Sequence, residues 1–321
     1  MSSTKKPLNI VFMGTPGFAV PSLEIIVENG YNVVGVVTVA DKPAGRGYKL
    51  QESDVKKSAV KLGIKVMQPT DLKSADFIDE LKSLKVNLIV VVAFRKMPEE
   101  LWGLPELGTF NLHGSILPHY RGAAPLNWAV INGEKETGVT TFFLADKIDT
   151  GELIDHKKIS IGKNDTVGDV HDQLMGVGAE LVLKTIQRIE SGGVKAVPQS
   201  EVEVSGEIKK APKIFKATCE VSWSKTGIEV HNLIRGLSPY PAAFSILSFP
   251  SGKKMKIKLF KSEFCDEQGT QGQIATDQKT FLKIFCVSGA VQILALQPEG
   301  KKRMETADFL RGRDLAGCRF I

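Results

Sequence analysis

Three side chains in this sequence have types and spacing that could do chemistry together. Asn111 and His113 stand two residues apart in Asn-Leu-His-Gly-Ser-Ile-Leu-Pro (111–118), and Asp149 opens an Asp-Thr-Gly run that begins 31 residues after Pro118. An amide and an imidazole aimed at one point can stabilise the oxyanion of a tetrahedral intermediate, a role for which one donor is typically worth ~3 kcal/mol. A carboxylate nearby would pair with the imidazole and could accept a proton relayed from an attacking amine. No serine or cysteine triad accompanies them, so the combination suits direct acyl transfer. Each residue alone has a plainer reading: Asn111 as a turn cap, His113 as a hydrogen-bonded core histidine, and Asp149–Gly151 as a tight turn. The three together favour chemistry.

Positioning them requires particular elements. Leu107–Leu112 reads as a strand, and side chains two apart on a strand point to one face, so Asn111 and His113 project together. Gly114 ends the strand and leaves the pair at its C-terminal edge, where open α/β sheets bind ligands. Upstream, strand patterns at Leu8–Met13, Val33–Val39 and Leu88–Val92 alternate with helical spacing at Phe18–Glu28, Lys56–Leu62 and Ala75–Leu84, which predicts a Rossmann-like, mostly parallel sheet. Dinucleotide binding is a weak reading, because the first turn is Gly-Thr-Pro-Gly-Phe rather than GxGxxG and no acidic residue closes the second strand. Thr166–Glu190 carries the longest apolar helical stripe and stops at Gly192-Gly193. The polar stretch 196–214 reads as a linker. Beyond it, short alternating runs at Cys219–Trp223, Phe244–Phe249, Lys256–Phe260, Gly272–Thr276, Phe281–Val287 and Val291–Leu296, interrupted by one helix at Gly227–Leu237, predict a small β-barrel. The expected organisation is an α/β domain over 1–204 followed by a smaller, OB-like β-barrel domain over 205–321.

Charge divides the same way. The chain carries +6 overall, but residues 1–204 hold 23 Lys and Arg against 25 Asp and Glu, whereas residues 205–321 hold 19 against 11. A near-neutral first part joined to a second part of +8 is the electrostatic footprint of a protein that binds a polyanion, nucleic acid being the commonest. No apolar run approaches the ~18 residues of a membrane span, and the polar Met1–Pro7 does not fit a secretory signal, so a cytoplasmic protein is expected. Cys219, Cys265, Cys286 and Cys318 never form CxxC, which argues for reduced thiols and against a zinc ribbon; His119, His156, His171 and His231 lack ligand spacing, so no metal is expected.

Over nearly its whole length the sequence resembles the 10-formyltetrahydrofolate-dependent formyltransferases. The matching segments are Asn-Ile-Val-Phe-Met-Gly-Thr-Pro-Gly-Phe-Ala-Val-Pro-Ser-Leu (9–23), Asp-Lys-Pro-Ala-Gly-Arg-Gly (41–47), His-Gly-Ser-Ile-Leu-Pro-His-Tyr-Arg-Gly-Ala-Ala-Pro (113–125), Asp149-Thr150-Gly151, and Ile-Arg-Gly-Leu-Ser-Pro-Tyr-Pro (234–241). The closest resemblance is to the branch that formylates the methionyl initiator tRNA of translation. It implies that Asn111, His113 and Asp149 are catalytic, and that tetrahydrofolate lies against Ser115, Ile116, Leu117 and Pro118, with Phe94 and Met97 along the pterin pocket. It also implies that the Gly- and cation-rich loop Asp41–Leu50 engages the tRNA acceptor end through Arg46 and Lys49, with Lys209, Lys210, Lys213 and Lys216 extending a basic track. The implied co-substrate is 10-formyltetrahydrofolate, the implied partners are initiator methionyl-tRNA and tetrahydrofolate, and the expected state is a monomer. One departure is Ala93-Phe94-Arg95-Lys96-Met97-Pro98, where related enzymes carry Tyr-Gly and small apolar residues; side-chain contacts to the pterin change there, while backbone hydrogen bonds do not depend on residue type. The alternatives are a formyltransferase acting on an amino-sugar nucleotide and a non-catalytic tRNA-binding module.

Overall fold

The computed structural model describes residues 7–44, 49–204 and 206–321. Its chain opens with β1 (Asn9–Gly14), α1 (Val20–Glu28), β2 (Asn32–Val37), a β3 (Lys42–Ala44) and β4 (Lys49–Gln51) hairpin, α2 (Asp54–Lys61), β5 (Val66–Met67), α3 (Ala75–Ser83), β6 (Leu88–Val92), α4 (Glu99–Trp102) and β7 (Thr109–His113). It continues through β8 (Arg121–Gly122), α5 (Pro125–Ile131), β9 (Glu136–Phe143), β10 (Leu153–Ser160) and α6 (Val167–Glu190). The remainder is β11 (Lys210–Ala211), α7 (Gly227–Gly236), β12 (Ala243–Ser248), β13 (Lys254–Cys265), β14 (Ile274–Thr276), β15 (Leu282–Phe285), β16 (Ala290–Pro298), β17 (Met304–Glu305), α8 (Thr306–Leu310) and β18 (Arg319–Phe320).

Two compact units emerge. The first holds residues 1–121, 138–159 and 172–209; the second holds 122–137, 160–171 and 210–321, so packing adds two earlier segments to the C-terminal part of the chain. In the first, a seven-stranded sheet runs in the order β10-β9-β7-β6-β1-β2-β5. The β1–β2, β1–β6, β2–β5 and β6–β7 pairs are parallel, and β7–β9 is antiparallel. Leu88–Val92 is buried at every position because both faces of this sheet are covered, which is why its sequence is a continuous apolar run rather than an alternating one. One face is lined by Val11, Met13, Val37, Ile89 and Val91, packed with Phe77 and Leu81 of α3. Burying each such large side chain contributes roughly 1.5–3 kcal/mol before the entropy cost of ordering it. Ser53 and Ser74 cap α2 and α3 by accepting the backbone N–H three residues on, and so fix where each helix begins.

The second unit is a nearly closed antiparallel barrel in the order β14-β15-β16-β13-β12-β18, with an isolated bridge between Gln273 and Arg319 joining its ends. Val230 and Ile234 of α7, with Leu237 at its C-terminal cap, pack in its core with Leu259, Ile284, Val291 and Phe320. A capping box between Thr226 and Glu229 starts that helix. The expected strand at Cys219–Trp223 is not formed. Cys219, Val221 and Trp223 are buried as the alternation requires, but this stretch meets β12 only through the Glu220–Phe244 bridge, so burial without a ladder produced the pattern. Burial pushes the Cys286 thiol up to about 11 and raises those of Cys219 and Cys318. No helix among the described residues is long and apolar enough to cross a membrane.

His231 on α7 is buried, its Nε2 donating to the Lys163 carbonyl at 3.1 Å and its Nδ1 lying 2.9 Å from the Ser262 hydroxyl. Burial holds its pKa below the ordinary 6.5. The unfolded chain therefore takes up a proton that the folded chain refuses, so this stability is present above pH 6.5 and is lost as the pH falls toward the depressed folded value. The melting temperature should drop between pH 7 and pH 5, and His231→Asn should flatten that slope whatever it does to the absolute value. An unchanged slope in differential scanning fluorimetry would show that His231 is not the titrating group.

Candidate active site

β7 carries Asn111 and His113 at the C-terminal end of its strand, with Asn111 opposite Val91 of β6 and Phe142 of β9, and His113 opposite Thr140. The intervening Leu112 is buried on the other face, as a period of two demands. Only 6% of His113 is exposed. Its Nε2 lies 2.9 Å from the Tyr120 carbonyl oxygen, and because a carbonyl can only accept, that nitrogen bears the proton. Nδ1 faces the Asp149 carboxylate with 3.8 Å to Oδ2, an ion-pair separation rather than a hydrogen bond. Phe142 presses edge-on to the imidazole with ring centroids 6.4 Å apart. The ring is thus fixed from three sides. Among the described residues the Asn111 side-chain amide has no hydrogen-bond partner.

Asp149 comes from the connection between β9 and β10 and has φ +56°, a left-handed conformation that aspartate tolerates better than most residues. Tyr120, which binds the other side of His113, has φ +60°, and Ala93 at the end of β6 has φ +49°. Held strain of this kind gathers at functional sites. Two residues past Asp149, Gly151 is required for space: a Cβ there would meet the Phe143 carbonyl oxygen at 1.6 Å.

Ser115–Pro118 bends into a turn closed by the His119 N–H donating to the Ile116 carbonyl at 3.1 Å, and its Leu117–Pro118 bond is cis. The Ser115 hydroxyl donates to the His119 carbonyl at 2.7 Å, and Thr140 Oγ1 donates to the Ser115 carbonyl at 2.6 Å while accepting from Leu117 N–H at 3.2 Å. The Ser115, Leu117 and Pro118 side chains are buried and Ile116 is half-buried. Met97 belongs to the sheet core, with Phe94 half-buried against it. Arg95, which departs from the related pattern, sends its guanidinium to the carbonyls of Pro69 and Thr70.

Of the cations expected to bind RNA, Arg46 lies outside the described residues and Lys49 begins β4. Lys209 is exposed in the first unit, where its carbonyl accepts from Tyr120 N–H at 2.6 Å. Lys210, Lys213 and Lys216 are exposed in the second unit, and the Lys213 ammonium stands 5.9 Å from the ring of the exposed Phe215. The structure brings together Asn111, His113, Asp149 and the Ser115–Pro118 turn. Sequence reasoning missed Thr140, Tyr120, Arg121 and Gln199, all of which touch or brace this group. Gln199 had no signal at all, sitting in the stretch read as linker; its neighbour Val197 pairs with Leu153 at the start of β10.

This architecture, a parallel sheet presenting an amide and an imidazole beside a carboxylate and followed by a barrel, is that of a known class. Residues 8–186 match the family described as formyl transferase and residues 213–314 match the formyl transferase C-terminal domain. The chain belongs to the formyl transferase family. Similar curated proteins are the methionyl-tRNA formyltransferases of Bacteroides fragilis, 52% identical over 310 residues, and of Bacteroides thetaiotaomicron, 50% identical over 310 residues, each alignment covering 96% of both chains. A solved N-formyltransferase from Helicobacter canadensis, in complex with folinic acid and dTDP-3-aminofucose, has the same fold: TM-score 0.67 at 23% identity, covering 92% of this chain and 100% of that one.

Proposed function

We propose that the protein transfers the formyl group of 10-formyltetrahydrofolate to the α-amino group of methionyl initiator tRNA. The observation that carries this reading is the 52% identity to a methionyl-tRNA formyltransferase over 96% of both chains. Asn111, His113 and Asp149 take the catalytic roles, and the folate lies along Ser115–Pro118 with Phe94 and Met97. The amine attacks the formyl carbon and the carbonyl oxygen becomes an oxyanion, to which the Asn111 amide donates. With Nε2–H of His113 committed to the Tyr120 carbonyl, Nδ1 is the nitrogen left for the chemistry; in the imidazolium form of the ring, Nδ1–H donates to the oxyanion and the Asp149 carboxylate balances the charge. Asp149 receives the proton released by the attacking amine and returns it as the bond from the formyl carbon to N10 of the folate breaks. The reaction needs no covalent enzyme intermediate. Purified protein given 10-formyltetrahydrofolate and charged initiator tRNA should yield formylmethionyl-tRNA, and failure to do so would refute the assignment.

Arg46 and Lys49 are assigned to the acceptor end of the tRNA, and Lys209, Lys210, Lys213 and Lys216 to its backbone. The +8 balance of residues 205–321 supports a phosphate-dominated contact. The logarithm of the tRNA association constant should fall with the logarithm of salt concentration by roughly 0.7 to 0.9 for each neutralised phosphate. Replacing Lys210, Lys213 and Lys216 together with alanine should make that slope shallower by about 2 to 3 units, one contact per lysine. An unchanged slope would remove these lysines from the interface. An amino-sugar nucleotide acceptor is the weaker reading, since the sugar-bound relative shares only 23% identity.

A further inference from the structure

We infer that Gln199, gripped by Arg121, is a positioning residue that sets the approach of Asp149 to His113. The inference rests on the roles proposed for those two side chains. Gln199 is only 7% exposed, and its amide uses every polar atom it has. Nε2 donates to the Asp149 carbonyl at 2.9 Å and to the Gly151 carbonyl at 2.8 Å; Oε1 accepts from Arg121 Nε at 2.9 Å and Nη2 at 2.5 Å. Arginine can only donate and carbonyls can only accept, so the orientation of the amide is determined by its partners.

These four bonds close a circuit around the imidazole. Arg121 directly follows Tyr120, whose carbonyl holds His113 Nε2, and the carbonyls that Gln199 grips flank the loop that brings the Asp149 carboxylate to His113 Nδ1. The two partners of His113 are therefore tied to each other through Arg121 and Gln199. Both tied residues, Tyr120 and Asp149, sit at positive φ, where a non-glycine backbone stays only if its surroundings hold it. The strap is itself anchored by backbone hydrogen bonds of 2.8 and 2.9 Å between Val197 and Leu153. Holding the backbone carbonyls of Asp149 and Gly151 fixes the chain that carries the carboxylate to within 3.8 Å of His113 Nδ1.

Gln199→Glu discriminates between bracing and chemistry. It keeps the length of the side chain and the Arg121 contact but turns the two donors into acceptors facing two carbonyls. The expected result is a fall in kcat of about tenfold or more per folded molecule, counted by folate-binding stoichiometry, with KM for tRNA and folate within about twofold, because a displaced catalytic group costs turnover rather than binding. Arg121→Met should behave alike and Arg121→Lys should recover part of the loss, since lysine retains one donor for Oε1. The His113 ring signals in NMR spectra of the ¹³C-histidine-labelled protein should shift in Gln199→Glu. A merely structural brace would lower the melting temperature and the folded fraction but leave kcat per folded molecule and the His113 signals unchanged; that result overturns the inference. Were the unsubstituted protein to show no formyl transfer, the proposed reaction would be wrong, and the His113 signals would still decide whether the strap sets the site.

Discussion

Asn111→Ala is expected to lower kcat by about 10²- to 10³-fold, the loss found when one preorganised oxyanion donor is removed. The fold should not suffer, because among the described residues the Asn111 amide has no partner to leave stranded, and its strand neighbours Val91 and Phe142 are joined to it through the backbone ladder. Binding of tRNA and folate should also survive, since the bond to the oxyanion strengthens only as charge develops on the reacting carbonyl. Steady-state kinetics beside a binding measurement separates the two. A variant turning over near the unsubstituted rate would remove Asn111 from the oxyanion role.

Gly151→Ala should be nearly as damaging for a different reason. The added methyl would come within 1.6 Å of the Phe143 carbonyl oxygen, with the Leu144 carbonyl carbon 3.3 Å away, and neither is a flexible side chain that can turn aside. The backbone must move. Overpacking of this kind costs about 1–3 kcal/mol of stability. The movement is expressed where the Asp149 loop meets His113, and a catalytic group displaced by about 1 Å loses roughly 10²-fold in rate. A lowered melting temperature together with a fall in kcat is the expected pair of results. Unchanged kcat in the folded protein would show that the 149–151 loop absorbs the methyl without moving the carboxylate.

Much of this was legible in the sequence, for physical reasons that can be traced. The strands Leu8–Met13 and Leu88–Val92 stood out because a sheet covered on both faces demands uninterrupted apolar runs. The Asn111 and His113 pair was legible because the pleat has a period of two. β9 was not, since Thr137, Thr140 and Thr141 are polar by type yet buried, and only the neighbouring strands supply the reason. β10 was hidden by its Asp-His-Lys-Lys sequence, in which His156, Lys157 and Lys158 are exposed while Asp155 is half-buried against Lys184 and Arg188. Residue types and spacing offered Asp149 only as a carboxylate within plausible reach of His113, and resemblance to related enzymes gave it a catalytic role; the contact itself is made by a loop folding back, which separation along the chain does not encode. Gln199 was invisible for the same reason: a polar residue in a Ser-, Glu- and Lys-rich stretch reads as solvated until the Val197–Leu153 pairing turns its side chain inward.

A competition assay tests the identity of the acceptor most directly. The purified protein is offered 10-formyltetrahydrofolate with methionyl initiator tRNA and a 3-amino-sugar nucleotide in one reaction, and kcat/KM is read for each product. The proposed function predicts that formylmethionyl-tRNA forms with kcat/KM at least about 10³-fold above that for the sugar, since a site built for one polar acceptor rejects an analogue that leaves its groups unpaired. Equal or greater formylation of the amino-sugar nucleotide would contradict it.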